Sequence, residues 1–154
     1  SVARLRGGLD LCRPGSRRGI AEVRDTLGLV YETADAFAAE VAMLTDQVVT
    51  DRQWAKFLDE YTGRGDEFAS KNKKTSSARV ADELDAMWRS DPRVAPWAGT
   101  AWGVVAATNT HLHHMSTIRG ADRVTRNTER MILDMGRIEA EKTHALRKLA
   151  VATT

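Results

Sequence analysis

Cysteine is nearly absent from this sequence, since Cys12 is the only one among 154 residues. One cysteine excludes an internal disulfide and any zinc site built from several thiolates. A reactive thiol needs a tuned electrostatic environment, whereas Cys12 lies among charged residues in an irregular Gly- and Pro-rich segment. We therefore interpret Cys12 as an incidental residue.

Long apolar runs are missing as well. The longest, such as residues 104–107, end after a few residues, whereas a membrane-spanning helix needs about 20. The Arg-rich start is not followed by an apolar segment long enough for a secretory signal. We expect a cytoplasmic protein with no membrane partner.

An excess of charge of one sign is also lacking, because 23 basic and 21 acidic residues leave a net charge of +2. This total does not by itself indicate a nucleic-acid-binding protein. The distribution is more informative: six of the first 24 residues are arginine, and four more arginines lie within residues 119–130. Basic charge is therefore clustered in two segments.

What the sequence does contain is a helical pattern. Apolar residues make up 42% of the chain and charged residues 29%, which is typical of a globular domain. From residue 20 onward the apolar residues recur at helical spacings, and no segment alternates like a strand. We predict an all-α fold, a single compact domain of about six or seven helices over residues 20–152. A flexible basic arm is predicted over residues 1–19, which are rich in Gly and Arg.

Four helices are predicted in the first part of this domain. Their apolar faces are Ile20, Val23, Leu27 and Val30; Phe37, Val41 and Leu44; Trp54, Phe57, Leu58 and Tyr61; and Val80, Leu84, Met87 and Trp88, of which the last set is expected to be buried. Gly28 could end the first helix or only weaken it. Thr50 and Gln53 have the spacing of a capping box at the start of the third helix, and Gly63 is expected to end it.

The remaining elements follow from caps and helix breakers. Residues 63–76 are interpreted as a polar linker, with Ser76 or Ser77 as the next cap. Two prolines predict a loop over residues 90–98. A long helix is expected from about Thr100 to a turn near residues 119–120, followed by helices over residues 121–135 and 138–151 that separate at Gly136.

Residues 97–130 contain a distinctive set of motifs. Trp97 begins the stretch Trp-Ala-Gly-Thr-Ala-Trp-Gly, and Asn109, the pair His113-His114 and an Arg-rich segment follow. This pattern resembles a phage- and plasmid-encoded family, domain of unknown function 932. Residues 21–28 and 49–58 are also similar to it, so the resemblance covers about residues 18–152 and corresponds to the C-terminal portion of family members about twice this length.

The resemblance implies no reaction, since none is established for the family. Its association with mobile elements implies a role in replication, recombination or host interference. For a phage-encoded protein, the expected location is the cytoplasm of the host cell.

Histidines are concentrated at one point, where His111 and His114 share a helix face and His113 lies between them. This pair could bind a metal together with a third, distant ligand. The candidates for that ligand are His144, Glu129 and Asp134. The alternative is that the histidines close the C-terminal turn of a helix, where positive charge suits the dipole. Because no His-Glu-x-x-His motif is present, we expect no metal and no cofactor.

Arginines at spacings of four, three and four occupy positions 119, 123, 126 and 130. Such a row can follow a phosphate backbone. The alternative is a solvated face paired with neighbouring carboxylates. The predicted nucleic-acid-binding residues are Arg119, Arg123, Arg126, Arg130, His113 and His114.

Tryptophans provide a further candidate contact with bases. An exposed Trp97 or Trp102 could stack on a base. The tendency of Trp to be buried favours core anchors instead, and Trp54 and Trp88 are expected in the core.

No phosphate-binding loop, nucleophile elbow or paired acidic motif occurs in the sequence, so we expect no catalytic residues and no enzymatic activity. The favoured hypothesis is an accessory protein of a phage or other mobile element that binds DNA non-specifically through the arginine row. The alternative is a non-enzymatic protein–protein interaction module, either a homo-oligomer or a binder of a host or phage protein. It predicts exposed apolar residues, and the suspected set is Met131, Ile132, Met135, Ile138, Leu146 and Leu149.

Overall fold

The computed structural model describes residues 17–115, 122, 125, 126, 128, 129 and 135–154. The α-helices that it delimits are α1 (Arg17–Asp46), α2 (Asp51–Thr62), α3 (Lys71–Ser90), α4 (Ala101–His114) and α5 (Met135–Thr153), with a short 3-10 helix at Ala95–Trp97. In this part of the chain the extended structure is limited to one isolated bridge between Val48 and Thr100. The all-α class is confirmed.

Contacts between α-carbons divide the chain into two units, residues Ser1–Glu40 and Val41–Thr154. Residues 1–16 of the predicted basic arm lie outside the described residues, and α1 begins at Arg17. No described helix is long and apolar enough to cross a membrane.

Helix α1 runs without a break for 30 residues, where the sequence predicted two helices. Gly28 does not end it. A glycine inside a helix costs only about 1 kcal/mol relative to alanine, so the hydrogen bonds of the surrounding turns maintain the helix. The prediction of two separate helices was therefore wrong, and of the two alternatives for Gly28 the one that keeps the helix continuous is observed.

The core of the second unit forms where α2, α3, α4 and α5 pack against one another. Helix α2 begins with the predicted capping box, in which Thr50 and Gln53 satisfy each other's backbone N–H groups. It ends at Gly63, which has the left-handed conformation expected of a C-terminal cap, with φ 71°. Trp54 lies in the core, stacked on Trp88 at a ring separation of 4.0 Å.

Helix α3 begins earlier than predicted. Ser70, not Ser76 or Ser77, caps it by accepting a hydrogen bond from the backbone of Lys73. Ser77 is instead buried inside the helix and donates to the carbonyl oxygen of Thr62 at 2.8 Å. The predicted linker is therefore shorter, because the polar residues 71–76 form the exposed first turns of the helix.

Helix α5 was predicted to begin after Gly136, but it begins at Met135 and continues through that glycine. Its buried residues are Ala145, Leu149 and Ala152. Leu146 packs against the same core, so the expectation that Leu146 and Leu149 form an exposed stripe was wrong. Ile138 is half-buried, whereas Met131, Ile132 and the side chain of Met135 lie outside what the structure describes.

Candidate interaction surfaces

The apolar face that the sequence predicts on α1 is exposed over most of its length. Between 49% and 59% of the surface of Ile20, Val23, Leu27, Val30 and Phe37 is accessible. Periodicity identifies the residues that share a helix face but not whether another element covers that face. Leu44 is the buried member, at 3%.

These side chains form one continuous line, which we name the α1 stripe: Ile20, Val23, Leu27, Val30, Ala34 and Phe37. Their spacings are three, four, three, four and three, which is the a/d pattern of a heptad repeat. The same spacing continues through Val41 to Leu44. The heptad spacing of apolar residues therefore continues across Gly28 and Ala34. It joins the two segments that the sequence predicted as separate helices into one.

The two flanks of the α1 stripe differ from the opposite face of the helix. The positions that border the stripe on its two sides are 24, 31 and 38 on one side and 26 and 33 on the other. Arg24 is the only charged residue among them, and the others are Thr26, Tyr31, Thr33 and Ala38. The acidic residues Glu22, Asp25, Glu32 and Asp35 occupy the remaining positions. A shallow apolar groove runs along one side of the stripe, lined by Thr26, Leu29, Val30, Thr33, Ala34 and Phe37.

The predicted nucleic-acid-binding residues are only partly described. His113 is half-buried and His114 exposed at the end of α4, and Arg126 is exposed. Arg119, Arg123 and Arg130 lie outside the described residues. Arg126 forms no ion pair with a carboxylate of the described part of the chain.

Many other cations of the described part of the chain are used within the fold. Their ion pairs are Arg64–Asp59, Lys73–Asp66, Arg79–Glu83, Arg89–Asp85, Arg93–Asp91, Lys142–Glu139 and Lys148–Glu60. Hydrogen bonds from Arg93 lower the pKa of Asp91 to about 2, although burial opposes this shift. The charge of His114 also lowers the pKa of Asp91. Internal pairing of this kind reduces the positive charge available to a phosphate backbone.

His111 takes part in a polar network between α3 and α4. Its Nε2 lies 2.7 Å from Oε2 of Glu83, while Oε1 of Glu83 accepts a hydrogen bond from Arg79 at 2.6 Å. Within the described residues no group of three or more His, Cys, Asp or Glu side chains is arranged to hold a metal ion. The observed partner of His111 is thus a carboxylate on a neighbouring helix.

The Gly-Thr-x-Trp-Gly motif builds the start of α4. Gly99 has φ 85°, which favours glycine, and its carbonyl oxygen accepts from the backbone N–H of Val49 at 2.8 Å. Thr100 accepts a hydrogen bond from the backbone of Gly103 and caps the helix as predicted. Trp102 is half-buried against the core, whereas Trp97 is 39% exposed. The two glycines and the threonine of the motif thus have structural roles: Gly99 has a left-handed conformation, Thr100 caps α4 and Gly103 lies against the backbone of Trp97.

Comparison with known proteins yields one family. Neither the curated proteins nor the solved structures contain a match to the chain. The family described as Domain of unknown function (DUF932) matches residues 14–132, which is more than half of the chain and ends before α5 begins. The chain therefore belongs to the DUF932 family.

Proposed function

We propose that this chain is a non-enzymatic protein–protein interaction module that binds its partner through the α1 stripe. The observation that carries the proposal is the exposure of five large apolar side chains in an unbroken heptad pattern. Scattered exposed apolar residues are normal, but a contiguous row on one helix face marks a contact surface.

The free energy available from this row supports a specific contact. Fully burying a large apolar side chain contributes about 1.5–3 kcal/mol, so five half-exposed ones contribute roughly 5 kcal/mol before the costs of association. The partner best suited to such a row is another amphipathic helix, whose side chains fit between those of the stripe.

Site-specific photo-crosslinking in the producing cell tests the proposal. A benzophenone amino acid at position 27, on the stripe, is expected to form a discrete covalent adduct. The same group at position 25 is the control, since Asp25 is exposed on the same helix but lies outside the stripe. Adducts that are absent at position 27, or equal at both positions, would contradict the proposal.

A second candidate function is DNA binding by an accessory protein of a phage or other mobile element. The observation in its favour is Arg126, which is exposed and unpaired within the described structure. Together with Arg119, Arg123 and Arg130 it would contact phosphates without reading sequence, with His113 and His114 nearby in the chain.

Fluorescence anisotropy of labelled single- and double-stranded DNA at several salt concentrations tests this candidate. Replacing Arg123 and Arg126 by alanine should weaken binding and lower the slope of log K against log salt by about 2, since two phosphate contacts are lost. Arg147→Ala, at an exposed arginine of α5, is the control. If the protein does not bind DNA even at low salt, this candidate fails.

A further inference from the structure

We infer that the partner of the α1 stripe is a second copy of this chain, paired antiparallel with Ile20 of one copy opposite Phe37 of the other. The inference rests on the proposed function and names the partner of the same surface. Three features of α1 lead to it: the symmetry of the stripe, the distribution of charge along the helix and the exposure of its apolar side chains.

The α1 stripe is complementary to itself in one antiparallel register. In antiparallel pairs each a position faces a d position of the partner helix. With the two-fold axis between residues 28 and 29, Ile20 faces Phe37, Val23 faces Ala34 and Leu27 faces Val30. All six positions then meet a position of the same stripe, and the small Ala34 meets Val23 instead of a second alanine.

Burial of Leu44 selects this register over the next one. A shift by one heptad would place Ile20 opposite Leu44 and Val23 opposite Val41. Leu44 is 3% exposed and Val41 is half-buried in the described structure, so neither is free to form a full layer. The register centred between residues 28 and 29 uses the exposed positions and leaves these two residues in place.

Charge along α1 favours the antiparallel orientation. Residues 17–25 contain three arginines and two acidic residues, a net charge of +1, whereas residues 32–46 contain four acidic residues and no basic ones, a net charge of −4. A parallel pair would align the two acidic ends, while an antiparallel pair brings each basic end beside an acidic end and also opposes the helix dipoles.

The flanks of the stripe fit the same register. Arg24 is brought beside Tyr31 of the second copy, where a guanidinium can lie over an aromatic ring. Thr26 meets Thr33 of the second copy, so the middle of the other flank has no charge to bury. A parallel pair would instead place Ala34 opposite Ala34 next to a Phe37–Phe37 layer, which combines a gap with overcrowding.

Sedimentation equilibrium of the full chain tests the pairing itself. The expected mass is twice the 17.0 kDa of one chain at about 100 μM protein, with dissociation upon dilution, because the buried strip is short. Leu27→Glu should weaken association by about 100-fold or more, since it buries two carboxylates in the dimer. Met43→Glu is the matched control: Met43 is 65% exposed on the same helix but lies outside both the stripe and the groove beside it.

A disulfide experiment tests the register. In a Cys12→Ser background, one chain carries Leu27→Cys and a second, differently tagged chain carries Val30→Cys. After oxidation of the mixture, the 27–30 heterodimer should predominate over the 27–27 homodimer, whereas a parallel pair would favour the homodimer and overturn the antiparallel inference.

A monomeric chain that still forms an adduct from position 27 with a different protein would overturn this inference and leave the proposed function standing. A monomer that forms no adduct would contradict both. Equal weakening by Leu27→Glu and Met43→Glu would also overturn the inference, because the loss would not then depend on the stripe.

Discussion

The imidazole of His111 lies 2.7 Å from the carboxylate of Glu83, a residue 28 positions earlier in the chain. The contact joins α4 to α3, and the two side chains are only 12% and 23% exposed. Arg79, one turn before Glu83 on α3, donates to the other carboxylate oxygen. Glu83 is thus held by partners on two helices.

Removing His111 should destabilise the fold. His111→Ala deletes one hydrogen bond of a half-buried carboxylate, which costs about 1–2 kcal/mol in the free energy of unfolding. Urea denaturation monitored by Trp fluorescence measures the change. His114→Ala is the control, because His114 is exposed at the end of the same helix. Equal effects of the two substitutions would contradict a stabilising role for the Glu83 contact.

Glu83 also predicts a dependence of stability on pH. Burial raises the pKa of its carboxyl, but hydrogen bonds from His111 and Arg79 together outweigh burial and bring the pKa below the ordinary value of 4.5. A lowered pKa contributes stability above pH 4.5 that is lost as the pH falls below this value through the pKa of the folded state. Glu83→Gln should therefore lose less stability than the wild type as the pH falls below 4.5. If both chains lose the same amount of stability, the carboxylate does not contribute.

Two glycines should respond in opposite ways to alanine. A β-carbon at Gly103 would collide with the carbonyl oxygen of Trp97 and approach Trp88 Cζ3 to 3.1 Å, so Gly103→Ala should cost about 3 kcal/mol. A β-carbon at Gly28 meets nothing within 4 Å, so Gly28→Ala should stabilise α1 by about 0.5–1 kcal/mol. Thermal unfolding followed by circular dichroism compares the two variants. A tolerated Gly103→Ala would show that the close approach to Trp97 is not required.

Tyr61 should ionise late. Burial, and secondarily the charge of Glu141, raises the pKa of its hydroxyl to about 12 from 10.0. In Tyr31→Phe, where Tyr61 is the remaining tyrosine, the change in ultraviolet absorbance on ionisation should be centred near this raised value. A raised pKa means that the contribution of Tyr61 to stability is complete below pH 10.0 and is lost as the pH rises toward about 12. Adding Glu141→Gln to Tyr31→Phe should lower the pKa of Tyr61. Ionisation of Tyr61 near pH 10.0 both with and without Glu141→Gln would contradict its burial.

Asp85 has two partners that should contribute differently to the stability of the fold. It accepts a hydrogen bond from the indole of Trp54 at 2.9 Å and pairs with Arg89 at 2.8 Å. Asp85→Ala leaves the indole N–H of a buried Trp without its acceptor and should cost about 1–2 kcal/mol. Arg89→Ala, at an exposed ion pair, should change stability little. Chemical denaturation measures the free energy of unfolding of both variants. A larger loss of stability in Arg89→Ala than in Asp85→Ala would contradict the greater importance of the Trp54 contact.

Local signals in the sequence predicted several features correctly. The capping box of Thr50 and Gln53, the cap at Thr100 and the left-handed Gly63 involve groups within a few residues of one another. Such hydrogen bonds depend on little beyond the local chain, so residue type and spacing suffice to predict them. The same holds for the all-α class, which follows from the helical period of the apolar residues.

Contacts between distant segments could not be predicted in this way. Nothing in the spacing of Glu83 and His111 indicates that they meet, and the continuation of helices through Gly28 and Gly136 depends on small energy differences. Of the predicted nucleic-acid-binding residues, the structure describes His113, His114 and Arg126.

The sequence by itself determined which residues share a helix face and where several helices begin and end, because these properties depend on local geometry. Only the tertiary structure decided which faces are covered. Ile20, Val23 and Leu27 are separated by three and four residues and Val80, Leu84 and Met87 by four and three, so each set shares one helix face. The first set is nevertheless exposed, while Leu84 and Met87 are buried. The physical reason is that burial requires a second surface at contact distance, and its position is set by the packing of the whole chain and not by the period of one helix.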